Sequence, residues 1–173
     1  MLLYLFALEK TGASLLNEPL KPAGVLYFPA RIERVTVDDR LNEKKAEEKR
    51  RKAQQRSGLR LDSAPVLQAM EPCAEEPEYL PYGCDKEGAR IGDLASEEQL
   101  ALLEHFVFRT VAALADDLYC GEIAPNPYFF DQSDNACRFC PYQTVCRDSR
   151  TERWLSGPMN ALDFWQRLEV NDG

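Results

Sequence analysis

Hydrophobic positions along this chain follow three patterns, each predicting a different element. The opening stretch, Leu2, Leu3, Tyr4, Leu5, Phe6 and Leu8, is apolar on every side and carries no N-cap residue, which predicts a helix buried all round. A chain opening in the middle of such a helix suggests that structure precedes it. Val25 to Phe28 form a short continuous apolar run after Gly24, which predicts a buried strand, with a weaker alternating continuation through Ile32, Arg34 and Thr36. The clearest signal starts at Ser96-Glu-Glu-Gln99, a capping box. After it Leu100, Leu103, Phe106 or Val107, Val111, Leu114 and Leu118 recur at helical spacing, and Gly121 ends the run.

Weaker patterns fill the gaps. Ala64 to Met70 predicts a short helix. Tyr79 to Tyr82, the turn Asp85-Lys-Glu-Gly88 and Arg90-Ile91 predict a hairpin. Pro125 and Pro127 keep the chain extended as far as Tyr128, and the tail residues Trp154, Leu155, Leu162, Phe164, Trp165 and Leu168 predict a last helix docked through its aromatics.

One segment has almost no large apolar residue. Residues 38–60 hold nine Lys or Arg against five Asp or Glu and read as a solvated helix or linker, with Glu47–Arg51 and Glu48–Lys52 at supportive spacing. Its basic excess leaves a local DNA contact open. Glu43-Lys44-Lys45 has a nuclease-like Glu-x-Lys order, but a polar stretch offers no rigid apolar strand to hold metal-binding carboxylates. The expected organisation is 1–37, helix plus strand; 38–60, charged linker or exposed helix; and 61–173, a helical C-terminal region.

Composition narrows the function. The chain has 173 residues, 45% of them hydrophobic, which suffices for one core. A net charge of −8 is the wrong sign for a free-standing nucleic-acid binder. No apolar run reaches membrane-spanning length, and the opening lacks the basic flank of a secretory signal. A reducing cytoplasm is the expected location.

Chemistry concentrates in Cys137-Arg-Phe-Cys140-Pro-Tyr-Gln-Thr-Val-Cys146, a C-x2-C-x5-C run. Two residues between the first pair let a tight turn aim two thiolates at one ion, and a further turn returns the third. Zinc and a [4Fe–4S] cluster both accept four thiolates, so the spacing leaves the metal open, and a fourth ligand must come from elsewhere. Zinc modules usually bring a second knuckle, and none is present. Cys120 is the nearest upstream thiol, Cys73 and Cys84 lie further away, and His105 sits inside the predicted helix.

Taken in order, Met1-Leu-Leu-Tyr-Leu-Phe-Ala-Leu8, Lys21-Pro-Ala-Gly-Val-Leu-Tyr-Phe28, Ser57-Gly-Leu59, the capped helix, Gly121-x-Ile123-x-Pro125-x-Pro127-Tyr128 and the cysteine run resemble the C-terminal end of the AddB family. These are B subunits of bacterial helicase–nucleases that pair with an AddA-type subunit. The resemblance implies an α/β fragment of a RecB-like, restriction-endonuclease-type nuclease domain with a metal-binding cysteine segment. It implies that Tyr4 is the tyrosine of a Gln-x-x-x-Tyr motif, whose Gln would fall just before Met1. The magnesium-binding Asp and Glu-x-Lys motifs would lie further upstream, so this chain alone is expected not to cut DNA. It also implies that Cys137, Cys140 and Cys146 hold a [4Fe–4S] cluster, with a fourth cysteine far upstream. DNA and ATP belong to the intact complex, in double-strand-break repair by recombination. The rival readings are a small zinc-binding interaction domain with Cys120 or another upstream cysteine as fourth ligand, or an accessory fragment without metal.

Overall fold

The structure is a computed structural model that describes residues 1–31, 43–71, 77–146, 153–157 and 159–172. Its chain divides into two units, Met1–Val107 and Phe108–Gly173. The continuation expected at Ile32–Thr36 and Cys73 both lie outside the described residues.

The first unit opens with α1, Leu2–Leu16. The helix is where the apolar run places it, but the expected all-round burial does not occur. Phe6 is fully buried and Gly12 is buried, whereas Leu3, Leu8, Leu15 and Leu16 are exposed. A cylinder that is apolar on every side needs neighbours on every side, and among the described residues of this unit α1 is covered fully only at Phe6 and Gly12. Asn17 stops the helix in the left-handed conformation, φ 58°, returning its N–H to the Ala13 carbonyl at 2.9 Å. A left-handed residue is a common helix stop, and Asn tolerates it.

The predicted strand at Val25–Phe28 exists as an extended edge, buried only at Val25. Its bridges, Gly24 to Arg60 and Tyr27 to Ser57, are antiparallel. Helix α2, Glu43–Ala53, carries six Lys or Arg and three Glu and has no buried residue. Strand β1, Arg60–Leu61, then becomes the centre of a small mixed sheet. On one side the N–H groups of Val25 and Tyr27 donate to the carbonyls of Leu59 and Ser57 at 2.8 and 2.7 Å. On the other, β1 pairs in parallel with β4, Leu94–Ala95, Arg60 opposite Leu94 and Leu61 opposite Ala95.

Gly58 makes the first pairing feasible. Its φ is +136°, and a Cβ there would lie 2.0 Å from the Val25 carbonyl oxygen. Only glycine allows both the torsion and the approach.

Helix α3, Ala64–Met70, follows β1 as the sequence predicts and buries Leu67. The hairpin also forms, β2 being Tyr82–Cys84 and β3 Arg90–Gly92, in antiparallel register. It starts three residues later than the apolar pattern indicates. The reason is Glu71, a buried carboxylate that accepts the N–H groups of Glu78 at 2.6 Å, Tyr79 at 3.1 Å and Leu80 at 2.9 Å. Those three donors are spent on a side chain and cannot enter a sheet.

Helix α4, Glu97–Tyr119, begins with the predicted capping box: the Ser96 N–H donates to Gln99 Oε1 at 2.9 Å and the Gln99 N–H to Ser96 Oγ at 3.2 Å. Leu100 and Leu103 join Phe6, Val25, Leu61, Leu67, Leu80 and Ala95 among the buried apolar residues. Fully removing a Leu or Phe side chain from water stabilises by about 1.5–3 kcal/mol.

In the second unit, Val111, Leu114 and Leu118 of α4 are exposed despite their helical spacing. The helix closes with a Schellman turn, Gly121 at φ +75° donating to Leu118 and the Glu122 N–H to Asp117. Strands β5, Tyr128–Phe129, and β6, Arg153–Trp154, pair in parallel, with the Phe129 and Trp154 rings 5.2 Å apart. One-turn helix α5, Gln143–Cys146, carries the last cysteine of the run. The final helix α6, Ala161–Asp172, is capped by Asn160, whose Oδ1 accepts the Asp163 N–H at 2.8 Å. It buries Leu168 and leaves Leu162 exposed, so an aliphatic side chain rather than the aromatics gives its deepest burial. No helix among the described residues is long and apolar enough to cross a membrane.

Candidate functional site

The cysteine run sits in the second unit on a loop built by local hydrogen bonds. Asp131 Oδ1 accepts the Ser133 N–H at 2.6 Å, its hydroxyl at 2.7 Å and the Asp134 N–H at 2.7 Å. The Ser133 hydroxyl and these backbone donors hold the Asp131 carboxyl below the usual range. The Ala136 N–H then donates to the Tyr128 carbonyl at 3.1 Å, tying the loop back to β5. Asn135 Oδ1 accepts the Cys137 N–H at 3.0 Å, so the first cysteine begins its turn from a fixed base.

From Cys137 onward the backbone makes local turns. The Cys140 N–H donates to the Cys137 carbonyl at 3.1 Å, the Gln143 N–H to Cys140 at 3.3 Å and the Cys146 N–H to Tyr142 at 3.0 Å. Two successive turns therefore carry the three thiols. Cys137 is buried, and Cys140 and Cys146 are half-buried. Among the described residues no group of three or more His, Cys, Asp or Glu side chains converges as a metal-holding cluster. The donor chemistry, three sulfurs on one short loop, fits thiolate ligation, and a fourth donor would have to come from outside that loop. Cys120 is exposed at the end of α4 and Cys84 is exposed on β2.

Tyr4 lies in the first unit on α1 and is 75% exposed, so it is not the buried aromatic that an all-round apolar helix predicts. Glu43 and Lys45 lie on the exposed helix α2, not on a strand.

Polar groups that the sequence pattern does not mark gather in the first unit. Arg60 is wholly buried, gives one Nη2 hydrogen bond to the Pro81 carbonyl at 3.3 Å, and keeps Nε and Nη1 without a partner. Burial lowers its pKa, against the favourable pull of Asp93 and Tyr82. A basic residue between Leu59 and Leu61 was the only signal in the sequence. A cavity of about 150 Å³ is lined by Glu9, Lys21, Pro22, Leu61, Glu97, Leu100, Ala101 and Glu104. Glu104 pairs with Lys10 at 2.7 Å. The Glu9 carboxyl is pushed up by burial and then by Glu104, and its Oε2 is buried without a hydrogen bond.

Comparison with known proteins gives this arrangement its context. A protein from Moorella thermoacetica, named as the B subunit of an ATP-dependent helicase/deoxyribonuclease, is 33% identical over 147 residues, covering 83% of this chain and 13% of that protein. Its namesake in Desulforudis audaxviator is 32% identical over 178 residues, covering 97% of this chain and 15% of that protein. The one from a Thermoanaerobacter species is 30% identical over 151 residues, 85% of this chain and 13% of its own length. The chain thus spans about one-eighth to one-seventh of the relatives it matches. Residues 1–147, from α1 through the last cysteine of the run, match the PD-(D/E)XK nuclease superfamily, and the chain belongs to that superfamily.

Proposed function

We propose that this chain is the C-terminal, cysteine-bearing part of an AddB-type helicase/deoxyribonuclease protein, working with an AddA-type subunit and DNA in cytoplasmic double-strand-break repair by recombination. The observation that carries this reading is the joint occurrence of the nuclease-superfamily match over residues 1–147 and the C-x2-C-x5-C run at its end. The names of the relatives support it.

Within that protein Cys137, Cys140 and Cys146 would supply three thiolates to a [4Fe–4S] cluster, with a fourth cysteine upstream. When bound, the cluster supplies a cross-link: joining distant parts of a chain restricts its unfolded state. The Asp131 turn and Asn135 do the positioning by fixing where Cys137 starts. Tyr4 would face the nuclease centre, whose magnesium-binding carboxylates would be supplied from outside this sequence. The exposed apolar side chains of α1 fit that role, since a neighbouring layer would cover them.

The test is to extend the reading frame upstream of Met1 and express the longer protein without oxygen. A brown protein that cuts single-stranded DNA with magnesium, and loses its colour when Cys137, Cys140 or Cys146 becomes Ala, supports the proposal. If instead the 173-residue chain binds one zinc, lost as completely in Cys120→Ala as in Cys140→Ala, it is a zinc-binding interaction domain.

A further inference from the structure

The first unit carries an aromatic cluster that no step above uses. Arg56 places its guanidinium carbon 4.5 Å from the Phe28 ring centroid and 5.0 Å from that of Tyr79. The three residues come from different segments, and backbone hydrogen bonds bring them together. The Tyr27 N–H donates to the Ser57 carbonyl at 2.7 Å, which sets Phe28 beside Arg56. The Arg56 N–H donates to the Tyr79 carbonyl at 2.7 Å. Tyr79 itself stands on the backbone that the buried Glu71 carboxylate grips at Glu78, Tyr79 and Leu80. Despite this support both residues are open to solvent, Phe28 being 63% and Tyr79 38% exposed. The cluster is hydrogen-bonded underneath and exposed above.

Charge sits next to it. Helix α2 ends in Arg50, Arg51 and Lys52, and the Gln54 and Gln55 N–H groups close that helix immediately before Arg56. Basic residues in a last turn also suit the helix dipole. The dipole, however, does not account for two exposed aromatic rings at the same end of the helix. In a chain of net charge −8 this is a local excess of positive charge beside stacking surface.

We propose that Phe28, Tyr79 and Arg56, with Arg50, Arg51 and Lys52, form a binding platform for a single strand of nucleic acid. Bases stack on the two rings and the α2 terminus holds phosphates, the combination by which single strands are bound without sequence preference. Duplex DNA keeps its bases stacked on one another and cannot use the rings. The platform deepens the nuclease reading by naming where this part of the protein grips its strand.

The test is fluorescence anisotropy of a labelled 15-nucleotide oligothymidylate, and of a 15-base-pair duplex, with the purified chain in EDTA so that nothing is cut. The single strand is expected to bind more tightly than the duplex. Phe28→Leu and Tyr79→Leu should each weaken it roughly 5-fold or more, Tyr79→Phe should retain it, and Tyr119→Leu, at an exposed tyrosine elsewhere, should leave it unchanged. Replacing Arg50, Arg51 and Lys52 together by Gln should flatten the dependence of log affinity on log salt by roughly 2 for a single strand. Circular dichroism of each variant confirms folding.

Wild-type affinity in both Leu variants, equal affinity for duplex, or no binding at low salt would overturn the platform. If that happens while the upstream-extended protein cuts single strands, the nuclease reading stands and the platform alone is wrong. Binding as expected with no cutting by the extended protein keeps the platform and overturns the nuclease reading.

Discussion

Removing the carboxylate of Glu71 tests the first unit at the point where its loop geometry is decided. Glu71 is 7% exposed, and its two oxygens receive the N–H groups of Glu78, Tyr79 and Leu80 at 2.6 to 3.3 Å. In Glu71→Ala all three donors lose their partner. Glu78 and Tyr79 are exposed, so water can replace the carboxylate there and the loss is about 1 kcal/mol each. The Leu80 donor is buried with its side chain and bears a desolvation cost of about 1–3 kcal/mol. The expected total is about 3–5 kcal/mol, which in a unit of this size lowers the thermal midpoint by roughly 10 °C or more. Glu71→Gln keeps one acceptor oxygen but turns an NH2 group toward a donor, and should lose roughly half as much. Urea unfolding followed by circular dichroism gives the free energies, and hydrogen exchange at Tyr79 and Leu80 gives the local effect. An Ala variant within about 1 kcal/mol of wild type, with both amides still slow to exchange, would refute the clamp.

Two further perturbations probe the same unit. Gly58→Ala forces a Cβ to within 2.0 Å of the Val25 carbonyl oxygen at φ +136°, so it should lose more than about 2 kcal/mol and separate residues 23–27 from β1; a loss below about 1 kcal/mol would show that this pairing is dispensable. Glu9 holds its proton more tightly when folded because of burial and Glu104, so its favourable contribution is complete below the unfolded value of 4.5 and is lost as pH rises through the raised folded value. With Lys10, Lys21, Glu97 and Glu104 around it, Glu9→Gln should raise stability near neutral pH and leave it unchanged well below the unfolded value. Chemical denaturation across that range measures this, and a Gln variant less stable than wild type at neutral pH would contradict it.

Local signals in the sequence determined a good deal. The capping box at Ser96 and Gln99, the glycine stop at Gly121, the short helix at Ala64–Met70 and the turn-forming Asp85 all act within a few residues, so the chain specifies them before it folds. The double turn of the cysteine run is local for the same reason, and the order of segments was enough to point to the nuclease superfamily. Burial was another matter. Periodicity says which side chains share a face, not whether a neighbour covers it: α1 and the far half of α4 have apolar faces, yet Tyr4, Leu8, Leu114 and Leu118 are exposed.

Contacts between distant segments were decided only by tertiary structure. Arg60 looks like the end of a charged segment, but β1 became the central strand because the Ala23 carbonyl accepts the Leu61 N–H on one side and the Asp93 carbonyl accepts the Arg60 N–H on the other. Glu71 looks like one more acidic residue until its carboxylate meets a loop seven to nine residues later and delays the hairpin. Phe28, Arg56 and Tyr79 carry no distinguishing pattern in the sequence. Their stacking depends on two hydrogen-bonded pairings whose partners lie far apart along the chain, and no local propensity encodes such a meeting.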